Sequence, residues 1–388
     1  MRILHVVPTY YPATYWGGPV FSAYALNNAL ARLPGVKLKV ITTDAAGPAL
    51  ADRLDPADLG GLYPNQEVLV TRRVARASVS SELLRMLPGV VRWANVVHLT
   101  ATYSFPTIPT LMLCRLLDKP LVWSPRGAIL DAHEWAGASR KLLKRVWEKS
   151  CNALIRPGNV IAHATAERER LVTQARVPRA RAVIVPNGVD VPDNLPLRDW
   201  IPDNRLRLMF LGRLAPKKGI ENLLQAMQLL NDPTIQLMIY GTGDTNYAIR
   251  LKSLALRLDL FGNAAFFAGH VDGEAKTAAF HGADVCVVPS HSENFCLVVA
   301  EALAHGLPVI TSRGTPWGGV EGHGCGLWVD NSPDSLAAAI MRIRMMPLEE
   351  MGKRGRRWIK QAYSWNTVAE AMVHIYQSLI AHPGDRRG

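Results

Sequence analysis

Short runs of β-branched and aliphatic residues alternate along the whole chain with stretches of helical periodicity. The runs are Ile3–Val7, Leu38–Thr43, Val68–Val74, Val96–Thr100, Leu121–Ser124, Val160–Ala164, Ala182–Val185, Leu206–Leu211, Ile235–Tyr240, Ala265–Ala268, Val285–Val288 and Val309–Thr311. Many of them are apolar on both faces, which is typical of parallel strands that crossover helices cover on each side. The pattern predicts an α/β fold with two doubly wound parallel sheets.

The length of the chain and a break in its periodicity predict two domains. A chain of 388 residues is longer than one hydrophobic core of ordinary size supports. The periodicity stops after Pro186-Asn-Gly-Val-Asp190, and three prolines follow before the next predicted strand begins. Because prolines and lost periodicity mark a linker, we expect domains at residues 1–190 and 203–364.

Positive charge is concentrated in the first half of the chain. Residues 1–190 contain 24 Lys and Arg against 13 Asp and Glu, whereas the remaining residues contain 20 against 19. Such a field attracts an anionic membrane surface, a phosphorylated acceptor or a nucleic acid. The segment Arg140–Lys149 adds an amphipathic basic patch, for which a solvated helix face is the commoner explanation.

Cysteine usage and hydropathy predict a cytoplasmic protein. The cysteines are odd in number and lack CxxC spacing, so we expect reduced, mainly structural thiols without a disulfide framework or a zinc site. They are Cys114, Cys151, Cys286, Cys296 and Cys325. The apolar run at the start is too short for a signal peptide. Charged residues interrupt the most apolar later segment, residues 107–123, so no membrane span is expected.

Loops at the carboxyl ends of the strands are the candidate sites, because open α/β sheets bind their ligands there. Gly17 and Gly18 follow the first predicted strand and precede a helical stretch. Paired glycines let the backbone approach a bulky anion, and a helix start presents free N–H groups to it. A simple tight turn is an equally good explanation of this pair.

Two further loops follow strands of the second domain. Arg213, Lys217 and Lys218 come directly after Gly212, and such cations suit a diphosphate, because Arg can bind two oxygens at once and Lys supplies a point charge. A solvated basic loop is the alternative, and the Walker A pattern is absent. Gly241 and Gly243 form a G-x-G after the next strand, for which a structural turn is the better explanation.

Two carboxylates, Glu293 and Glu301, lie between a predicted strand and an apolar helix. On one helix, eight residues would separate them by roughly 12 Å and about 80°, which argues against an adjacent acid and base. We expect Glu293 in the loop beside the free N–H groups of residues 295–297, and Glu301 in the second turn. In this arrangement Glu293 could contact a sugar and Glu301 a ribose, while phosphates bind between them at the start of the helix. A capping Glu and a surface Glu are the alternative.

As an ordered set, these motifs resemble the retaining glycosyltransferases of the GT4 family, which have the GT-B fold. The matching segments are the glycine pair, PNGVD at residues 186–190, LGRLAPKKGI at 211–220, YGTG at 240–243, AGHV at 268–271, and Glu-x7-Glu. The resemblance implies two Rossmann-like domains that face each other across a cleft. The first would bind the acceptor and the second the nucleotide sugar, and a last helix, about 365–388, would pack back on the first.

The resemblance also implies roles for individual residues. Arg213 and Lys218 would hold the donor diphosphate and stabilise the departing nucleotide, while Glu293 would contact the transferred sugar and Glu301 the ribose. The other expected donor-binding residues are Gly17, Gly18, Gly241, Gly243, Asn294, Phe295, Cys296 and Leu297. Fixed cations and helix dipoles would take the place of a metal, so we expect neither a metal nor another cofactor.

Two positions depart from the family pattern. Cys296 stands where relatives often have Gly, so its thiol is expected to crowd the donor pocket. Arg126, in Ser124-Pro-Arg-Gly127, stands where relatives place a His near the donor sugar. Because Arg cannot carry a proton, contact with a phosphate or an anionic sugar is the expectation there. His98 is a second candidate on the acceptor side, with a core role as the alternative.

The sequence therefore predicts a metal-independent, retaining hexosyltransferase that uses a UDP- or GDP-linked sugar. The expected acceptor is a glycan or a lipid-linked molecule of a bacterial envelope or exopolysaccharide, with peripheral contact to an anionic membrane. A nucleotide-sugar epimerase of the same fold is the alternative. A nucleic-acid-binding protein is a remote one, because aromatic residues are not interleaved with the basic runs; we expect no nucleic acid as a partner.

Overall fold

The computed structural model describes residues 1–59, 63–129 and 141–381. The chain divides into two compact units. The first contains Met1–Gly188 and the C-terminal segment that begins at Trp365, and the second contains Val189–Ser364. Each unit is built around one sheet in which every strand pair is parallel.

The first unit has a seven-stranded sheet in its described part. Its strands are β1 (Arg2–Val6), β2 (Lys37–Thr43), β3 (Gln66–Thr71), β4 (Val96–Leu99), β5 (Leu121–Trp123), β6 (Val160–Ala164) and β7 (Arg181–Ile184), in the order β3-β2-β1-β4-β5-β6-β7. Its helices up to residue 188 are α1 (Gly18–Arg32), α2 (Ser81–Trp93), α3 (Thr107–Leu116), α4 (Lys141–Leu154) and α5 (Glu167–Arg176).

The second unit has a six-stranded sheet. Its strands are β8 (Leu206–Leu211), β9 (Ile235–Tyr240), β10 (Ala265–Gly269), β11 (Val285–Val288), β12 (Val309–Ser312) and β13 (Gly326–Val329), in the order β10-β9-β8-β11-β12-β13. Its helices are α6 (Ile220–Leu230), α7 (Thr245–Arg257), α8 (Gly273–His281), α9 (Leu297–Ala304), α10 (Gly319–Gly322), α11 (Pro333–Arg344) and α12 (Leu348–Ala362). The last helix, α13 (Trp365–Ala381), belongs to the first unit.

Both faces of each sheet are buried, as the apolar strands require. In β1, Ile3 joins a core that contains residues of α1 and α13, while Leu4 joins the core on the other face with residues of α2 and α3. In β11, Val287 and Cys286 likewise belong to two different cores. Alternate strand residues point to opposite faces, so these separate cores confirm the predicted doubly wound α/β architecture.

Each predicted strand overlaps an observed one, and one strand was missed. β13 pairs with β12 at the edge of the second sheet. It has only four residues, begins with Gly326 and follows a glycine-rich segment, so its apolar run is too short to stand out. Part of the last predicted helix, residues 382–388, and Arg140 of the predicted basic patch lie outside the described residues.

Two further observations concern the cysteines and the length of the described helices. All five cysteines are buried thiols without a disulfide partner. In the described ranges, no helix combines the length and the apolar character that crossing a bilayer requires.

Candidate active site

The loops that follow β8 and β11 lie side by side, because these strands are neighbours in the sheet, and a hydrogen bond joins them. The backbone N–H of His291 donates to the carbonyl oxygen of Lys217 at 2.8 Å. Gly219 has a left-handed backbone with φ of 63°, and a Cβ there would lie 2.1 Å from the carbonyl oxygen of Pro289. Only glycine permits this close approach, so the sequence KKG fixes how the two loops meet.

This junction brings together two of the predicted site residues, Lys218 and Glu293. The Nζ atom of Lys218 lies 2.5 Å from Oε1 of Glu293, and both side chains are largely buried. The hydroxyl of Ser290 donates to the same oxygen at 3.0 Å. The backbone N–H of Glu293 donates to the carbonyl oxygen of Gly314 at 2.9 Å. The carboxylate is therefore held in one orientation beside a cation.

Arg213 is an exposed cation in the loop after β8. It makes no hydrogen bond or ion pair with any residue that the structure describes. Its guanidinium therefore keeps all of its N–H donors available for an anion.

Glu301 lies in α9 and pairs with a residue that the sequence analysis missed. Oε1 of Glu301 is 2.7 Å from Nζ of Lys276 on α8. Burial raises the pKa of Glu301 above its usual value, and the nearby Lys276 opposes that shift. Nothing in the sequence distinguishes Lys276 from a solvent-facing lysine of an amphipathic helix, so no sequence signal could have found it.

The start of α9 contains the remaining predicted residues of this loop. Asn294 and Phe295 precede the helix, Cys296 is its N-cap residue, and Leu297 is its first residue. The carbonyl oxygen of Phe295 accepts a hydrogen bond from the Trp317 indole at 2.6 Å. First-turn N–H groups of a helix have no partner within the helix, so this end of α9 can accept an anion.

Cys296 has a left-handed backbone, with φ of 64°. Its thiol is buried in the core that also contains Phe295, Val299 and Trp317, and burial raises its pKa. Left-handed backbone favours glycine. The backbone at this position would therefore suit the glycine that the family resemblance implies, whether or not a thiol crowds a donor pocket.

Gly241 and Gly243 pack against the loop that carries Arg213. A Cβ on Gly241 would lie 1.8 Å from the carbonyl oxygen of Gly212, and one on Gly243 would lie 2.0 Å from that of Leu214. The N–H of Leu214 donates to Thr242 at 2.9 Å. The contacts favour the structural turn over direct ligand contact, and they position the Arg213 loop.

Gly17 and Gly18 begin α1 in the first unit. Gly17 is the N-cap residue and has φ of 69° and ψ of −137°, a conformation that residues with a Cβ rarely adopt. Gly18 has no such backbone requirement, and a Cβ on it would contact no described atom within 4 Å. No contact in the described structure therefore explains why residue 18 has no side chain.

His98 lies inside β4 and is completely buried. Its Nδ1 is 2.7 Å from the Tyr376 hydroxyl of α13, and its Nε2 is 2.7 Å from the Ser124 hydroxyl. Its ring stacks on His5 at 4.3 Å, and burial lowers its pKa well below the usual value. With both ring nitrogens occupied, His98 fits the core role better than contact with a substrate.

Arg126 follows β5 and has a left-handed backbone, with φ of 55°. Its Nη1 donates to Oδ1 of Asn187 at 2.5 Å, which ties it to the PNGVD segment. Its Nε is buried and has no partner in the described part of the chain. Burial lowers the pKa of Arg126. Arg126 is thus held within the first unit, and its Nε donor has no partner among the described residues.

No group of three or more His, Cys, Asp or Glu in the described ranges is arranged to hold a metal ion. The expectation of a metal-independent reaction stays a prediction.

Two family models match consecutive parts of the chain. Glycosyltransferase Family 4 matches residues 16–192, and Glycosyl transferases group 1 matches residues 198–365. Together they extend over most of the sequence. The chain belongs to the group 1 glycosyltransferases.

Curated relatives of this glycosyltransferase align with it over only part of their length and part of its own. A GDP-mannose-dependent alpha-mannosyltransferase of Mycolicibacterium smegmatis is 30% identical over 247 residues, 61% of this chain and 61% of the relative. A D-inositol 3-phosphate glycosyltransferase of Kineococcus radiotolerans is 29% identical over 258 residues, 59% of each. The chain thus spans less than two thirds of these relatives.

Solved structures match over nearly the whole chain. Sucrose-phosphate synthase from Thermosynechococcus elongatus has a TM-score of 0.70 at 22% identity and covers 98% of this chain and 99% of its own. WaaG, a glycosyltransferase involved in lipopolysaccharide biosynthesis, has a TM-score of 0.65 at 16% identity, with coverage of 96% and 99%. Anabaena HepE in complex with UDP and glucose has a TM-score of 0.70 at 15% identity, with coverage of 97% and 100%. These structures confirm the predicted GT-B fold class.

Proposed function

We propose that this glycosyltransferase transfers a hexose from a nucleoside diphosphate sugar, with retention and without a metal. The observation that carries the proposal is the largely buried Lys218–Glu293 pair with the unpaired Arg213 in the same group of strand-end loops. A donor diphosphate is an anion for which these two cations are suited.

Donor binding would rearrange the charges at this site. The diphosphate would pair with Arg213 and draw Lys218 toward its oxygens, so the Glu293 carboxylate would become free to accept hydrogen bonds from sugar hydroxyls. The start of α9 would add backbone N–H groups to the phosphates. Glu301 is partly accessible, and its Oε2 accepts no hydrogen bond from a described residue, which supports a contact with ribose hydroxyls.

The reaction would exchange one bond at the anomeric carbon for another. The bond from the anomeric carbon to the phosphate oxygen breaks, and the leaving diphosphate keeps the electron pair. The acceptor hydroxyl attacks the same face, and its proton passes to the departing phosphate. Arg213 and Lys218 would stabilise the charge that develops on the leaving group, a form of catalysis that needs no bound metal.

The names of the relatives support a nucleotide sugar and a role in envelope synthesis. One relative is GDP-mannose-dependent, HepE is in complex with UDP and glucose, and WaaG is involved in lipopolysaccharide biosynthesis. We therefore propose a UDP- or GDP-linked hexose as the donor and a bacterial envelope glycan as the product. The epimerase alternative has no support among these relatives.

We also propose peripheral contact with an anionic membrane at the cytoplasmic face. Helix α4 exposes Leu142, Leu143 and Val146 to solvent, at 75%, 64% and 53% of their surface, on a helix that also carries Lys and Arg. Such a helix can insert apolar side chains between lipids while its cations bind headgroups. A Leu142→Ser/Leu143→Ser variant should co-sediment less with anionic vesicles, and unchanged sedimentation would contradict the contact.

The test of the proposed function is a screen of nucleotide sugars with product analysis. Donors that bind should raise the melting temperature, and an active donor should release its nucleoside diphosphate when a hexose reaches an added acceptor. NMR of the new linkage should show the anomeric configuration of the donor. Isomerisation of free donor without transfer, or an inverted linkage, would overturn the proposal.

A further inference from the structure

A cavity of about 760 Å³ lies entirely within the described part of the first unit. Its walls come from the segments that follow β1, β2, β3 and β4 and from the start of α1. The cavity is therefore at the carboxyl edge of the sheet, where open α/β sheets bind ligands. Its volume is within the range of small-molecule sites. The donor chemistry proposed above does not use it.

The walls of this cavity are mainly apolar. Val7, Val20 and Ala23 line it and are buried, and Trp16 lines it while 47% exposed. Pro19 and Ala49 extend this apolar lining, and hydroxyl-bearing residues such as Thr9 and Thr100 form a smaller part of the wall. An apolar wall cannot replace the hydrogen bonds that sugar hydroxyls make with water. The cavity is therefore better suited to a hydrocarbon group than to a saccharide.

One side of the cavity is a loop that Arg73 holds in place. Arg73 is 2% exposed and donates to three carbonyl oxygens, those of Gly47, Ala49 and Asp52, at 2.8, 2.5 and 2.9 Å. Its Nε and the hydroxyl of Ser104 are buried and have no partner among the described residues. Both residues line the cavity, so a few polar groups border a space that is otherwise mainly apolar.

Arg76 supplies a positive charge where the cavity meets solvent. It lines the cavity, is exposed, and makes no hydrogen bond or ion pair with the described part of the chain. The next two residues, Ala77 and Ser78, both have φ of 58°, and the N–H of Phe105 donates to the carbonyl oxygen of Ala77 at 2.9 Å. Strained backbone of this kind concentrates at ligand sites, and here it holds the turn that carries Arg76.

We propose that this cavity binds the hydrocarbon part of a lipid-linked acceptor, while Arg76 binds the phosphate next to it. The inference rests on the proposed glycosyltransferase function and deepens it by naming the acceptor class. A purely saccharide acceptor would leave the apolar walls uncovered, and a neutral lipid would leave Arg76 unused.

A direct binding measurement tests the cavity without relying on catalysis. Isothermal titration of the full chain with geranyl phosphate should detect binding, with at least tenfold weaker binding for geraniol and for inorganic phosphate. Ala49→Trp should fill the mouth of the cavity from an exposed loop and weaken geranyl phosphate binding at least tenfold. Ala57→Trp, an exposed alanine of the same unit outside the cavity, is the matched control and should bind as the unaltered protein does.

A charge reversal tests the part played by Arg76. Arg76→Glu should weaken geranyl phosphate binding at least tenfold and leave geraniol binding unchanged. Arg72→Glu, at an exposed cation that does not line the cavity, should change neither.

Failure of the inference and failure of the proposed function give different results. Absent geranyl phosphate binding, or binding that Ala49→Trp leaves unchanged, overturns the inference even if sugar transfer occurs. Equal binding of geranyl phosphate and inorganic phosphate would show a phosphate site only and would also overturn it. Bound geranyl phosphate in a protein that consumes no nucleotide sugar would instead refute the glycosyltransferase proposal.

Discussion

The two sheets differ in the polar groups at and near their strand ends. In the second unit these are charged pairs, Lys218 with Glu293 and Lys276 with Glu301. In the first unit they are buried imidazoles, His5, His98 and His163, whose pKa values burial lowers. The second unit pairs these carboxylates with lysines, whereas burial disfavours the charged form of these three imidazoles in the first unit.

This difference follows from what each unit would bind. A diphosphate needs cations, but an unpaired buried ammonium is costly, so a carboxylate partner keeps it charged until the ligand arrives. A hydrocarbon needs no such pair. The three histidines do not line the proposed hydrocarbon cavity; they are hydrogen-bonded in the core, as in the link from Ser124 to both His98 and His163.

The largest expected effect is the loss of activity when the Lys218–Glu293 pair is broken. Lys218→Ala removes a cation that would stabilise the leaving group, so we expect kcat to fall about 10²- to 10³-fold. It also leaves Glu293 buried without its cation, and stability should fall by roughly 1–3 kcal/mol. Nucleoside diphosphate release and urea unfolding measure the two effects.

Two further variants separate the catalytic effect from the effect on stability. Lys218→Met/Glu293→Gln removes both charges and should recover most of the stability but none of the activity. Lys217→Ala, at the exposed neighbouring lysine, should be nearly silent. If Lys218→Ala kept its activity within threefold of the unaltered protein, Lys218 would not stabilise the leaving group, and the proposed role of the charged pair in the second unit would be wrong.

The neutral histidines predict how stability depends on pH. Burial lowers the pKa of His5 from 6.5 to about 4 and that of His163 to about 3. Because the unfolded chain takes up protons below pH 6.5 and the folded chain does not, stability is lost as the pH falls from 6.5. For His5 alone, the loss should reach about 3 kcal/mol by pH 4.

Urea unfolding between pH 7 and pH 4 measures this dependence. His5→Gln should reduce the slope of stability against pH, whatever its effect at pH 7. His374→Gln, at an exposed histidine of α13, is the control and should leave the slope unchanged. An equal slope in the His5 variant would mean that burial does not keep this imidazole neutral.

A smaller effect should follow from adding one methyl group at the start of α1. Gly18→Ala meets no described atom within 4 Å, so the fold should be unaffected, whereas a phosphate approaching the backbone would be displaced. We expect the KM for the donor to rise roughly tenfold, or about 1.4 kcal/mol. Gly89→Ala, inside α2 and equally free of contacts, is the matched control, and an unchanged KM in Gly18→Ala would remove this residue from the donor site.

The smallest effect should come from Cys296→Gly. The substitution relieves left-handed strain of about 1–2 kcal/mol, but it removes a buried thiol and increases the entropy of the unfolded chain. These contributions oppose each other, so stability should change by less than about 1 kcal/mol and donor KM should not change. A large change in KM would show that the thiol contacts the donor.

Local patterns predicted the elements and the loops well. The loop after β8 was recognisable because Gly212, Arg213 and Lys218 are close in sequence, and the doubly wound sheets followed from apolar runs. Contacts between distant segments were not predictable. Lys276 reaches Glu301 only because α8 and α9 flank the same strand, β11, and the His98–Tyr376 bond joins residues 278 positions apart. The cavity likewise forms where loops after four different strands come together, so no single sequence motif could predict it.

The place of α13 affects the order in which the chain can mature on a ribosome. Ala369, Met372 and Tyr376 complete a core of the first unit, yet they are made after the whole second unit, Val189–Ser364. During synthesis the second unit can fold as soon as it emerges, whereas the first must wait with one apolar face covered only in part, by α1. The half of the enzyme that is translated first is thus the half that is finished last.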